Sequence, residues 1–375
     1  MKIGVDTFGL EHGNSGLGSY LLSLLKCLPE TDGADIELFG PETDRYTYSS
    51  NRSFAYKGLD VKDTYAAENA WHKRKADKFC RRNGYDIVFY TEGSRLVPAK
   101  AKVSSIAVVN SILSNVLEEM SFWGRKHIVK ALSSMDCIIA SSMFVKKDIA
   151  RCGVKCGRIE IVHNGIDHSI FYPESSVESS DFVDIKPFAI KKPYIIYGSR
   201  IQGPEKKHIE LIKAYTLFKE KTGLPHRLVL AGGGGDYCDE VQKAAFNSSA
   251  ASDIFMTGFF PRFGFPELYR NAEICVFPSV NEGVGLPVLE AMASGIPVAC
   301  AKAGALPEIA GENVLYFDSD DVEDIARCIE QIVSDEKLKT KLVESGIEWA
   351  KRFSWEKTAG ETVAIIKDVL KSRKK

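Results

Sequence analysis

Short apolar runs recur along the whole chain. The clearest are Lys2–Asp6, Ile36–Phe39, Ile87–Tyr90, Ser105–Val109, Cys137–Ala140, Ile159–Val162, Tyr194–Tyr197, Arg227–Ala231, Ile254–Thr257, Ile274–Phe277 and Pro297–Ala301. Each is bounded by turn-forming or charged residues, the pattern of a strand buried on both faces. Between them lie stretches with helical spacing, such as Gly18–Leu28, His208–Lys219, Phe265–Asn271 and Pro287–Met292. Alternation of this kind predicts an α/β fold, with parallel sheets covered by helices.

The alternation breaks once. Glu174–Lys192 (ESSVESSDFVDIKPFAIKK) is polar, Ser-rich and without a period, and reads as a linker or a boundary loop. The expectation is two Rossmann-like domains facing across a cleft, at 1–175 and 190–355. A last helix follows Ser354, which can cap it. It has apolar positions at Val363, Ile366, Val369 and Leu370, and segment 356–375 is expected to pack back toward the first domain.

Composition narrows the classes. With 375 residues, 45% hydrophobic and 26% charged, the chain is an ordinary globular protein long enough for two domains. Lys and Arg number 49 against 50 Asp and Glu. That balance speaks against a nucleic-acid partner, which selects for a strongly basic surface. The nine cysteines are scattered, and several sit in apolar runs, as buried residues of a reducing compartment do. Cys152 and Cys156 form a weak zinc signal at best. No apolar run is long enough to span a bilayer, and the first residues read as a strand, so a cytoplasmic location is expected.

Four strand ends carry the candidate chemistry, three of them glycine-rich. In FPSVNEGVGLPVLEAMASG, a strand stops at Phe277 and a helix starts near Pro287. Free backbone amides of Val284, Gly285 and Leu286 at such a helix start attract an anion. Glu282 at the strand tip suits sugar hydroxyls, and Glu290, one turn inside, suits a ribose diol. A tight turn with a carboxylate serving the helix dipole reads equally well. Arg200 and Lys206, after the strand ending at Tyr197, offer a planar fork and a point charge for a diphosphate. The alternative is that Lys206 and Lys207 merely decorate a solvated helix start. At the N-terminus, GNSGLGSY opens a helix but lacks the dinucleotide fingerprint. Gly232–Gly235 is the third glycine-rich end: a ligand-lining turn or a flexible one.

The stretch PSVNEGVGLPVLEAMASGIPVACAKAGALPE resembles the signature of the retaining GT-B glycosyltransferases of family 4, whose E-x7-E motif matches Glu282 and Glu290. GLGSYLLSLL, IIASSMFVKKDI, IEIVHNGIDHSIFYP, YGSRIQGPEKKHIELIKAY, FMTGFF and FSWEKTA also resemble that family, in order along nearly the whole chain. The resemblance implies a transferase that moves a hexose-type sugar, with retention and without a metal, from a UDP- or GDP-sugar donor. The acceptor would be a growing glycan of lipopolysaccharide, O-antigen, capsule or another lipid-linked polysaccharide. It implies that Glu282, Arg200 and Lys206 serve catalysis. Gly16, Asn110, Gly283, Val284, Gly285, Leu286 and Glu290 would bind the donor. No cofactor is implied beyond the nucleotide sugar itself. Relatives often carry His-Asp where this chain has Asn110-Ser111. That departure keeps open a catalytically degenerate GT-B protein acting as a nucleotide- or glycan-binding subunit. Trp71–Arg82 (WHKRKADKFCRR) reads either as a basic helix resting on the inner membrane face or as a solvated one; the tail 371–375 adds cations.

Overall fold

The computed structural model describes residues 1–28, 35–49, 54–174 and 180–373. The chain forms two units, Met1–Gly165 with Ser354–Lys375, and Ile166–Phe353. Each is a parallel sheet wrapped by helices, so the α/β Rossmann-like expectation holds.

The first unit contains β1 (Lys2–Asp6), β2 (Asp35–Pro41), β3 (Ala55–Leu59), β4 (Ile87–Tyr90), β5 (Ser104–Val109), β6 (Cys137–Ala140) and β7 (Ile159–Ile161). Their order is β3-β2-β1-β4-β5-β6-β7, all parallel. Strand side chains alternate between the sheet's faces. Ile87, Phe89, Ile106 and Val108 therefore meet the helix Gly16–Cys27 and the C-terminal helix Trp355–Arg373. Val88, Tyr90, Ala107 and Val109 meet the helices of the other face. Full burial of each Val, Ile or Phe side chain among these stabilises by about 1.5–3 kcal/mol. In the C-terminal helix, Val363, Ile366 and Val369 are buried, and Trp355 packs edge-on to Tyr20 at 5.7 Å.

The second unit contains β8 (Phe182–Ile185), β9 (Phe188–Lys191), β10 (Tyr194–Gly198), β11 (Arg227–Ala231), β12 (Ile254–Gly258), β13 (Ile274–Phe277), β14 (Val298–Ala301) and β15 (Leu315–Phe317). The main sheet runs β12-β11-β10-β13-β14-β15 and is also parallel. In both units the strand order reverses once, between β1 and β4 and between β10 and β13. Ligands of open α/β sheets bind outside the carboxyl ends of the strands at that switch point.

Three expectations need correction. The segment read as a linker holds an antiparallel hairpin, β8–β9, from Phe182 on. Its alternation is short: Val183, Ile185 and Ile190 are buried while Asp184 and Lys191 are exposed. Phe188 stacks on Phe260 at 5.3 Å, which holds the hairpin to the second unit. Residues 175–179 of that stretch lie outside the described residues. The boundary between units accordingly falls at 165/166, not between 175 and 190. Third, Trp71 does not face solvent. It is 7% exposed, with ring centroids 4.9 Å from Phe8 and 5.7 Å from Phe79. The basic residues around it are exposed, but Trp71 itself cannot enter a bilayer. In the tail, residues 374–375 lie outside the described residues. Among those described, no helix is long and apolar enough to cross a membrane.

Candidate active site at the β10–β13 switch point

Two loops leave the sheet side by side, one after β10 and one after β13. The first is held along the strand edge beyond β11: Ser199 donates to Ala231 O at 2.9 Å and Ile201 to Gly233 O at 3.0 Å. A Cβ on Gly232 would sit 2.1 Å from Ser199 O, and one on Gly235 2.7 Å from Ile201 O. The glycines of 232–235 thus admit a neighbouring backbone, which gives that run a packing reason of its own. Arg200 projects into solvent from this held segment.

The loop then forms the 3-10 turn Pro204–Lys206 and the helix His208–Thr222. Lys207 between them has φ 56, a left-handed conformation unusual for a side chain with a Cβ. This turn sends the two lysines in different directions. Lys207 bonds Asp320 at 2.5 Å and lies 3.4 Å from Glu210. Lys206 Nζ reaches Glu282 Oε1 at 2.7 Å, across 76 residues of sequence. Lys207 thus pairs with acids of the surface, whereas Lys206 pairs with Glu282 in the loop after β13.

Glu282 is placed by three neighbours, and its loop is tied down by a fourth bond. Ser279, fully buried, donates its hydroxyl to Glu282 Oε1 at 2.8 Å. Ala305 N donates to Glu282 O at 2.9 Å. Gly304, at φ 60, lets the Glu282 backbone pass where a Cβ would lie 2.7 Å from its carbonyl oxygen. Val280 N donates to Glu205 O at 3.0 Å, tying this loop to the Lys206 turn. From below, Tyr197 donates to Lys206 O at 2.8 Å. Lys206 and Glu282 keep 17% and 16% of their side-chain surface, so the pair is sheltered yet open to a ligand.

Beyond Glu282, residues 283–285 lead into the helix Leu286–Ala293. Gly285 caps it at φ 70, with Leu306 Cδ2 only 3.1 Å from where a Cβ would be. Its glycine is required by the turn itself. Pro287 occupies the first turn, where no amide partner is needed. Val284 and Leu286 are half-buried at this helix start, where geometry leaves amides without intrahelical acceptors. Glu290 follows one turn on. Burial pushes its carboxyl up to about 7, with Arg262 pulling the other way.

Sequence reasoning missed three contributors. Ser279 stands two residues past a strand, and only the fold shows that it holds Glu282. Arg262 acts on Glu290 from the turn after β12. His208 is buried 4.7 Å from the Tyr197 ring. Burial, and then the charge of Lys206, push its imidazole down to about 4, so it is neutral at pH 7.

Two expected donor-binding residues belong to the first unit. Gly16 starts the helix Gly16–Cys27, behind Ser15, which accepts from Gly18 N at 2.9 Å. A Cβ on Gly16 would meet nothing within 4 Å, whereas one on Gly18 would lie 2.6 Å from Gly13 Cα. Packing therefore requires glycine at 18 but not at 16. Asn110 is half-buried, immediately after β5.

Two Rossmann-like units, each with one switch point, define the GT-B class of fold. Residues 180–349 match the family model of the glycosyl transferases group 1, and residues 14–170 match that of glycosyltransferase family 4. The chain belongs to this glycosyltransferase family. It is 34% identical over 170 residues to an O-antigen chain mannosyltransferase B of Escherichia coli, a match covering 45% of this chain and 44% of that one. The chain spans about half the length of the curated relatives it matches. Among solved structures, a sucrose-phosphate synthase from Thermosynechococcus elongatus superposes with a TM-score of 0.76 at 18% identity, over 99% of this chain and 100% of that one. The Anabaena protein HepE, crystallised with UDP and glucose, gives 0.75 at 18% identity, over 98% and 100%. At such identities these likenesses bear on the fold alone.

Proposed function

We propose that the protein is a retaining glycosyltransferase that moves a hexose-type sugar from a UDP- or GDP-sugar to a growing glycan of a lipid-linked surface polysaccharide. The observation that carries this reading is the Lys206–Glu282 pair at the switch point, 2.7 Å apart and still open to solvent, beside a helix start and Glu290. The match to an O-antigen mannosyltransferase supports a polysaccharide acceptor, and the UDP bound by HepE supports a nucleotide donor.

In this reading the diphosphate enters beside Lys206 and draws its ammonium away from Glu282. Arg200 and the amides around Gly283, Val284, Gly285 and Leu286 share the charge that grows on the leaving phosphate. Glu282, released from Lys206, accepts hydrogen bonds from the donor sugar's hydroxyls. Glu290 accepts from the ribose diol. From the first unit, Gly16 admits the diphosphate to the backbone and Asn110 hydrogen-bonds the sugar. The acceptor oxygen attacks the anomeric carbon as the bond to phosphate breaks, and the departing phosphate oxygen takes the acceptor's proton. Cationic side chains and the helix start take the part a metal plays elsewhere.

The experiment is thermal stabilisation by UDP, GDP, ADP and NAD in EDTA, followed by transfer assays with hexose donors. A shift with UDP or GDP alone is expected, because ligand bound only to the native state raises the melting temperature. A shift with NAD alone would overturn the reading. Nucleotide binding with no transfer from any hexose donor would favour the degenerate subunit that Asn110-Ser111 leaves open.

A further inference from the structure

The first unit exposes two large aromatic residues on a helix that shares its core cluster with a basic helical run. Phe122 and Trp123 open the helix Phe122–Leu132 and are 70% and 74% exposed. Their rings meet edge-on at 5.5 Å, and Lys126 Nζ lies 5.8 Å from the Trp123 ring. The same helix buries Ile128, Ala131 and Leu132 against the sheet, so the aromatic pair, Lys126 and Lys130 face outward.

The helical run 65–82 lies against the same core, through Ala76 and Cys80. Ile128, Ala131 and Leu132 of the helix Phe122–Leu132 belong to that same cluster, so both helices cover one face of the sheet; after burial, the charge of Lys73 lowers the pKa of His127. The run turns Arg74, Lys75, Lys78 and Arg82 to solvent. Its one acid there, Asp77, is held by Arg81 at 2.9 Å and by Lys102 N at 2.7 Å. Glu118 and Glu119 precede the aromatic pair, and Glu119 is paired with Arg95 at 2.6 Å. The uncompensated charge of this face is positive.

We propose that this face docks on an anionic lipid bilayer, with Phe122 and Trp123 entering the headgroup layer while the cations of the two helices meet lipid phosphates. Aromatic rings are at home where one end is apolar and the other wet, and a polybasic neighbourhood supplies the second of the two signals that stable anchoring takes. A platform for stacking neutral sugar would need the rings but not the cations on two helices. The anchor is thus Trp123, from a helix that sequence reading passed over, and not the buried Trp71. This inference stands apart from the transferase reading.

The test is flotation of the full chain with vesicles of phosphatidylcholine alone and of phosphatidylcholine with phosphatidylglycerol. Binding only to the anionic vesicles is expected, weakening as salt is raised. The double variant Phe122→Ser/Trp123→Ser should lower the bound fraction about tenfold, and Lys126→Glu/Lys130→Glu should do the same. All four side chains are exposed, so melting temperatures should stay at the wild-type value. No flotation with anionic vesicles at low salt would overturn the proposal. So would variants that float like wild type, or a Trp123 emission shift caused by soluble oligosaccharide and not by vesicles.

Discussion

The two units share one topology and treat charge at their switch points in opposite ways. At β1–β4, Asp6 and His72 are 2% and 1% exposed and bonded to each other at 2.7 Å. The other ring nitrogen of His72 meets Glu68 O at 2.7 Å. Both ring nitrogens of His72 are thus engaged inside the core, so this pair is closed on itself. At β10–β13, Lys206 and Glu282 are paired just as tightly but remain open to solvent. Topology nominates both edges, and accessibility separates them. A pair sealed in the core serves the fold, whereas a pair that keeps part of its surface exposed can exchange partners for a ligand.

The largest effect should come from breaking the open pair. Lys206→Ala removes a cation from the developing diphosphate charge, and about a thousandfold loss of transfer is expected, near 4 kcal/mol. Glu282→Ala should fall in the same range. Neither should lower stability by more than about 1 kcal/mol, because a partly exposed ion pair contributes little to folding. Transfer rates alongside urea unfolding check both halves. Near-wild-type transfer in either variant would show that the site lies elsewhere.

The sealed pair should behave in the reverse sense. His72→Leu leaves the Asp6 carboxylate buried without its partner, and removing one member of a buried pair costs about 3–5 kcal/mol. Stability should drop by that order, while the melting shift produced by nucleotide persists in whatever protein remains folded. A stable variant that no longer responds to nucleotide would mean that the first unit's edge does the binding.

Much of this contrast was legible in the chain, for identifiable reasons. Strands buried on both faces leave continuous apolar runs, so β1, β4, β5, β10 and β13 could be read directly. The edge strands β3 and β15 and the hairpin β8–β9 could not. They are short and half-exposed, and AYKGL or DFVDI mixes polar residues into the run. The spacing of Glu282 and Glu290 was visible, but the partner of Lys206 was not. That depends on the left-handed turn at Lys207, which no local pattern of lysines announces. Trp71 went wrong for a related reason. Its basic neighbours suggest a surface, yet its own position in the helix points to the core.

Glu290 and Glu92 sharpen the comparison at the smallest scale. Burial raises both carboxyls to about 7. Glu92, after β4, is already met by the Ser94 hydroxyl and is buried. Glu290 keeps part of its surface open, with Arg262 the charge that favours its ionised form. If Glu290 holds a ribose diol, its ionised form is the better acceptor, since both oxygens then receive a hydroxyl. Below pH 7 the proton occupies one of them. Affinity for UDP-glucose, whose diphosphate does not titrate near neutrality, should therefore rise about five- to tenfold from pH 6 to pH 8. Glu290→Gln should bind more weakly and lose the slope, and Glu92→Gln should keep it. Calorimetry at the two pH values separates the cases. An unchanged slope in Glu290→Gln would move the titrating group away from the helix Leu286–Ala293, and loss of the slope in Glu92→Gln would place it at the other switch point.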